Sequence, residues 1–218
     1  MIFDRFDLIR IVNLPERKDR KRAMLNELRR MGLENSPRVQ FFDAVRPDDA
    51  GDFYSKGARG CFLSHCALLR EAVAKNASVL IVEDDCYFDP RVTTYELPEQ
   101  WDIFYGGYDA VTPENLHTSD IVGSHVMGFS AAGAANILDY FDNLKFEGKH
   151  PPIDGAYVWF RRAYPDTPTA FAYPPIGHQR PSRSDIAANR IFDRIPGIRW
   201  LVERTREMRG AAKRGKFT

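Results

Sequence analysis

Three cysteines in 218 residues are odd in number and too few for a disulfide framework. No apolar run approaches the ~18–20 residues of a membrane-spanning helix. Neither sign of charge is in excess: 31 Lys and Arg against 30 Asp and Glu leave a formal net charge of +1. That balance argues against a whole-chain nucleic-acid binder. There is no Gly-rich Walker loop and no G-x-G-x-x-G after a strand, which weakens P-loop NTPase and dinucleotide dehydrogenase readings. The first residues, Met-Ile-Phe-Asp-Arg-Phe-Asp, carry acids where a signal peptide needs a basic and then an apolar stretch. The expected location is therefore the cytoplasm. Cys61, His65 and Cys66 lack a second ligand pair at usable zinc spacing, so the thiols read as buried and free.

What is present is a globular composition. Hydrophobic residues make up 44% of the chain and aromatics 12%, enough for a substantial core. Residues 8–14 read as a first strand, and Pro15 and Glu16 suit the first turn of a helix. Met24, Leu28 and Met31 continue that helix, which Gly32 is placed to end. A second strand spans 39–45, and 48–57 reads as a loop. Phe62, Cys66, Leu69 and Val73 give a second helix over 58–74. Further strands are expected at 79–82, at 101–105 closed by Gly106 and Gly107, at 122–130, and at 169–173. Ala134, Ile137, Leu138 and Phe141 mark a third helix, and 153–162 a short fourth. Strands alternating with helices predict an α/β fold with a mainly parallel sheet.

The most informative stretch is Val79-Leu80-Ile81-Val82-Glu83-Asp84-Asp85. A short apolar strand stops at three consecutive acids. In parallel α/β sheets, ligands bind outside the carboxyl ends of the strands. Carboxylates there suit a divalent cation and a phosphate-bearing ligand. In extended backbone, residues i and i+2 share a side. Glu83 and Asp85 would then face one site, leaving Asp84 to a turn or cap.

Four blocks resemble glycosyltransferase family 25, the lipooligosaccharide and collagen galactosyltransferase group. They are Ile11-Val12-Asn13-Leu14 with Arg17 and Asp19-Arg20; Gly60-Cys61-Phe62-Leu63-Ser64-His65; Leu80 to Asp85; and Phe129-Ser130, Gly133-Ala134, Ile153-Asp154, Gln179 and Ser184-Asp185-Ile186. The resemblance implies a GT-A-type nucleotide-diphospho-sugar transferase fold over residues 1–187. It also implies a UDP-sugar donor, usually UDP-galactose, and inverting transfer to a glycan or glycolipid hydroxyl in lipopolysaccharide or surface polysaccharide synthesis. Mn²⁺, or Mg²⁺, is the implied cation, with Asp85 and Glu83 as its ligands. Asn13, Leu14, Arg17, Arg20, Ser64, His65, Glu83 and Gln179 are implied at the donor. Asp154 is the leading general base, ahead of Asp102 and Asp109. His178 follows the late strand and is a further candidate ligand, less well supported than Gln179. Ser184 and Asp185 close the match, where they can meet the diphosphate or cap a helix. Arg46-Pro47-Asp48-Asp49 and Val126-Met127-Gly128 depart from the family pattern at places that shape the donor and acceptor pocket. The competing reading is a non-catalytic nucleotide-sugar or glycan-binding module with the same fold.

Residues 188–218 form a separate basic appendage. From Arg190 onward nine Arg or Lys stand against three acids, with Ile191, Ile195, Ile198, Trp200, Leu201 and Val202 as apolar anchors. The segment reads either as an amphipathic element lying on an anionic membrane, at the inner face, or as a helix packed on the domain with a solvated basic face. Pro196-Gly197 interrupts any single long helix. Truncation after Ile186 separates the readings. Sedimentation with anionic liposomes falls if the segment binds lipid and stays equal if it packs on the protein.

Overall fold

The structure, a computed structural model, describes residues 2–180. The appendage and Ser184, Asp185 and Ile186 lie outside the described residues. In chain order the elements are β1 (Leu8–Asn13), α1 (Lys18–Arg30), β2 (Val39–Asp43), α2 (Lys56–Lys75), β3 (Val79–Glu83), β4 (Cys86–Phe88), β5 (Ile103–Ala110), β6 (Ile121–Phe129), α3 (Ala131–Asp142), α4 (Ile153–Ala163), β7 (Thr169–Phe171) and β8 (Gly177–Gln179).

Six strands form the central sheet in the order β2-β1-β3-β6-β5-β7. β1 runs parallel to β2 and β3, and β5 runs parallel to β7. β6 is antiparallel to both neighbours, β3 and β5, so it alone is reversed. This is the mainly parallel α/β sheet expected of the fold. β3 lies inside the sheet, and its Val79–Val82 run is apolar because both faces are buried. Leu80 and Val82 join Ile9, Ile11, Met24 and Leu28 in the core on the α1 side. Val79 and Ile81 join the core beneath α2, α3 and α4. Arg10 is the charged exception in β1. It is buried, and its Nε and Nη2 bond both carboxylate oxygens of Glu71 on α2 at 2.8 and 2.7 Å.

Two expectations are corrected and one strand pair is added. α1 starts at Lys18, not at Pro15-Glu16. The Arg17 N–H donates to the Leu14 carbonyl at 2.8 Å, closing a turn, and Arg17 stands at the N-cap position without a side-chain capping bond. β5 does not stop at Gly106-Gly107 but runs to Ala110. Gly107 marks a close backbone approach instead, since a Cβ there would lie 2.9 Å from the Gly177 carbonyl oxygen and 3.1 Å from the Val126 nitrogen. Lastly, β4 and β8 form a small antiparallel pair that carries the chain back past the acid stretch. Three residues each is too short for a period-2 pattern to show in sequence.

Gly107→Ala sets a methyl against backbone on two sides. It should destabilise the fold by about 1–3 kcal/mol, seen as a lower urea midpoint at unchanged slope. An unchanged midpoint would contradict this packing.

Candidate active site

The carboxyl ends of β1 and β3 meet at one place, and partners from several elements reach the Glu83-Asp84-Asp85 run there. β6 runs backwards, so its early residues arrive where β3 ends, with Val82 paired to Val126. Ser124 Oγ therefore donates to Glu83 Oε1 at 2.8 Å, and His125 Nδ1 lies 3.5 Å from Oε2. Asp84 is only 6% exposed. Its Oδ2 accepts from Asn13 Nδ2 at 2.7 Å, and its Oδ1 accepts from Arg20 Nη1 at 2.9 Å. Asp85 is 4% exposed, and its Oδ2 lies 3.0 Å from the same Arg20 nitrogen and 3.3 Å from Gln179 Nε2. Asp85 Oδ1 is buried without a hydrogen-bond partner among the described residues.

This redraws the expected division of the acids. Asp84 does not face away to a turn. It shares Arg20 with Asp85, while Glu83 bonds β6. The i, i+2 rule fails because β3 ends at Glu83 and the next two residues turn.

The charges push the neighbouring acids apart. Burial works to raise the Glu83 carboxyl, but the His125 hydrogen bond and charge outweigh it and hold it at about 2. Asp85 is pushed up to about 6, first by burial and then by the Glu83 charge, against the pull of Arg20. His125 is opposed by burial yet drawn upward by Glu83.

The other sequence-predicted residues fall at varied distances from this centre. Asn13 is buried and also donates to the Arg17 carbonyl at 3.4 Å. Leu14 gives its carbonyl to the turn before α1. The Arg17 guanidinium bonds both oxygens of Asp19 at 3.0 Å. Ser64 has an internal role: its hydroxyl donates to the Gly60 carbonyl at 2.7 Å and accepts from the Val45 N–H at 2.8 Å. Gly60 permits this approach, since a Cβ there would lie 2.5 Å from the Val45 carbonyl oxygen. These two motif residues seat the loop after β2 on α2, so Ser64 has no hydroxyl to offer a donor. His65 is fully buried beneath the site, with Nδ1 at 2.8 Å from the Tyr157 hydroxyl. Burial holds it at about 4, hence neutral.

Asp154 sits in the first turn of α4. Its Oδ2 accepts from the Gly123 N–H at 2.8 Å and its Oδ1 from its neighbour Gly155 at 2.9 Å. It thereby ties α4 to the start of β6, and burial raises its carboxyl above the ordinary range. Asp102 is corrected: it precedes β5, at the opposite end of the sheet, and its carboxylate accepts from Ser130 Oγ at 2.6 Å beside the α3 N-terminus. Asp109 lies near the end of β5, where its charge helps raise His125. His178 turns its ring to Tyr87 of β4, 5.3 Å between centroids, while the next residue, Gln179, reaches Asp85. His178 joins no cluster of metal-binding side chains among the described residues.

Sequence reasoning passed over Ser124, His125 and Tyr157. The one signal was a Ser-His pair inside an otherwise apolar strand, which asks for a buried polar partner.

The acid pair gives a pH prediction for the chelator-treated protein. Asp85 is raised from an ordinary 3.8 to about 6. The folded state then holds that proton more tightly, so the associated stability is present at low pH and is lost as pH rises through 6. Asp85→Asn escapes this loss. It should be more stable than wild type by about 2 kcal/mol at pH ~8, with the gap closing by pH ~4. Melting curves showing a constant gap would refute the assignment.

Residues 6–102 match the family model described as glycosyltransferase family 25 (LPS biosynthesis protein). The rat protein named probable inactive glycosyltransferase 25 family member 3 is 29% identical over 184 residues, 68% of this chain and 32% of that protein. A glycosyltransferase 25 family member of Aedes aegypti is 30% identical over 129 residues, 45% of this chain and 21% of its own length. The chain thus spans about a third or less of the length of these curated relatives. Among solved structures, a glycosyltransferase involved in the glycosylation of the major capsid of PBCV-1 aligns with 80% of this chain and 94% of its own, at a TM-score of 0.49 and 11% identity. No helix among the described residues is long and apolar enough to cross a membrane.

Proposed function

We propose that this chain is a glycosyltransferase of family 25, whose model matches residues 6–102, and that it moves a hexose, galactose from UDP-galactose first among the candidates, to a hydroxyl of a glycan or glycolipid. The observation that carries the reading is the buried Asp85 carboxylate beyond β3. One of its oxygens is held by Arg20 and Gln179 and the other has no partner among the described residues. A buried carboxylate oxygen without a partner is costly and is the kind of ligand a hard divalent cation takes. The residues therefore fit Mn²⁺ or Mg²⁺, held by Asp85 with Glu83 beside it. Such a cation supplies neutralisation of the departing diphosphate.

The chain's own side chains set up the rest. Asn13 and Leu14 end β1 where the nucleotide is received. Arg20 is fixed by Asp84 and Asp85, so its guanidinium is already oriented for a phosphate before a donor arrives. The acceptor hydroxyl must lose its proton as its oxygen attacks the anomeric carbon, and the bond to the UDP oxygen breaks with its electron pair. Asp154 is the base we assign to that proton. Its raised proton affinity suits the role, and the Gly123 and Gly155 amides fix its orientation.

A second reading, nucleotide-sugar binding without transfer, draws on the name of the rat relative, a probable inactive family member. One experiment separates the two. The full chain is given UDP-galactose or UDP-glucose with Mn²⁺, following slow donor hydrolysis, with UDP binding measured by calorimetry. Transfer predicts both. UDP binding without hydrolysis selects the binding module, and absence of both overturns either reading. Asp154→Asn should cut hydrolysis by about 10²-fold or more with UDP affinity within a few-fold of wild type. Full activity in that variant would remove Asp154 as the base.

A further inference from the structure

Cys61 and His65 stand four residues apart on α2, so their side chains share one face of the helix. Glu83 reaches the same point from the end of β3. One potential ligand atom from each of the three lies within 4.8 Å of the others, and no other such trio occurs among the described residues. Cys66, the other cysteine of α2, does not take part. The third ligand comes from a different element.

The surroundings are those of a built site. His65 is fully buried; its Nδ1 is engaged by the Tyr157 hydroxyl, and its Nε2 has no partner among the described residues. Buried ring nitrogens are ordinarily satisfied, and a metal-binding histidine ordinarily has its second nitrogen hydrogen-bonded. Glu83 is held in turn by Ser124 and His125. All three candidate ligands therefore sit on rigid elements, two of them with outer partners in place.

We propose that Cys61, His65 and Glu83 bind a borderline cation of the zinc type, at a centre separate from the donor cation assigned to Asp85. One sulfur, one nitrogen and one oxygen donor suit Zn²⁺ better than Mn²⁺ or Mg²⁺, which favour oxygen. Three protein ligands leave a fourth position open. As the Sγ–metal bond forms, the thiol proton passes to solvent, and thiolate plus carboxylate then balance the dication. Glu83 is committed to this centre, leaving Asp85 as the principal protein ligand for the donor's cation. The donor cation rests on Asp85, so the two readings stand independently.

The test uses the full chain, reduced, stripped with a chelator and titrated with Co²⁺. Binding should give a near-ultraviolet thiolate-to-cobalt charge-transfer band that saturates near one equivalent and is displaced by Zn²⁺. Cys61→Ser, nearly isosteric, should abolish the band and weaken Zn²⁺ binding at least ~10-fold against a chelating indicator. Tyr157→Phe should keep the band and weaken Zn²⁺ about 10-fold, because it releases the His65 ring. No band in wild type, or an undiminished band in Cys61→Ser, overturns the proposal. UDP binding by the same Cys61→Ser protein reports on the donor site separately.

Discussion

The constraint that organises this molecule is the withdrawal of three successive carboxylates from water at the end of one strand, Asp84 and Asp85 buried and Glu83 largely so. Removing an ionised carboxylate from water without compensation costs several kcal/mol. Glu83, Asp84 and Asp85 cannot all be compensated from one direction, and the fold brings partners from four elements. β6 delivers Ser124 and His125, β1 delivers Asn13, α1 delivers Arg20, and β8 delivers Gln179. The topology follows the same logic. Only a reversed β6 presents its opening residues at the end of β3, and only a chain that returns through β8 sets a late residue beside Asp85.

The family motifs gain separate meanings from this geometry. In the Gly60-to-His65 block, Gly60 and Ser64 anchor the β2 loop onto α2, whereas Cys61 and His65 point at Glu83. A block that reads in sequence as one signature thus holds a packing pair and a chemical pair. They interleave because a helix turns by 3.6 residues per turn.

What could be read from sequence was whatever depends on local periodicity. The apolar β3 run, the stripe of α3 and the break at Gly32 were legible because burial on one or both faces imprints a pattern. The long elements came through with ends shifted by a few residues, as at Lys18. The short β4–β8 pair left no pattern, and Gly106-Gly107 looked like a stop because sequence does not show the backbone that crosses Gly107. The candidate site followed the same rule. The acids were visible as a cluster, but their partners lie far away in the chain. Asp84 departs from a strand rule that lapses where β3 ends, and the place of Asp102 at the opposite end of the sheet is set by long-range strand order that local sequence does not carry.

The charge balance of the site carries a last step. Asp84 and Asp85 share one guanidinium, that of Arg20, Glu83 meets one imidazole, that of His125, and the Glu83 charge adds to the burial that raises Asp154. Burial raises the Cys61 thiol, and the carboxylates of Glu83, Asp154 and Asp85 add to that. The protein answers the excess by holding Glu83 anionic and letting Asp85 keep its proton toward neutrality. A protein selected only for stability would replace such acids with apolar side chains of similar volume, often at no loss. Retaining them, with Asp85 Oδ1 and His65 Nε2 both unpartnered among the described residues, makes sense if positive charge arrives from outside. The acids then form a preorganised receptor for cations, and the stability forgone without them is recovered when they bind.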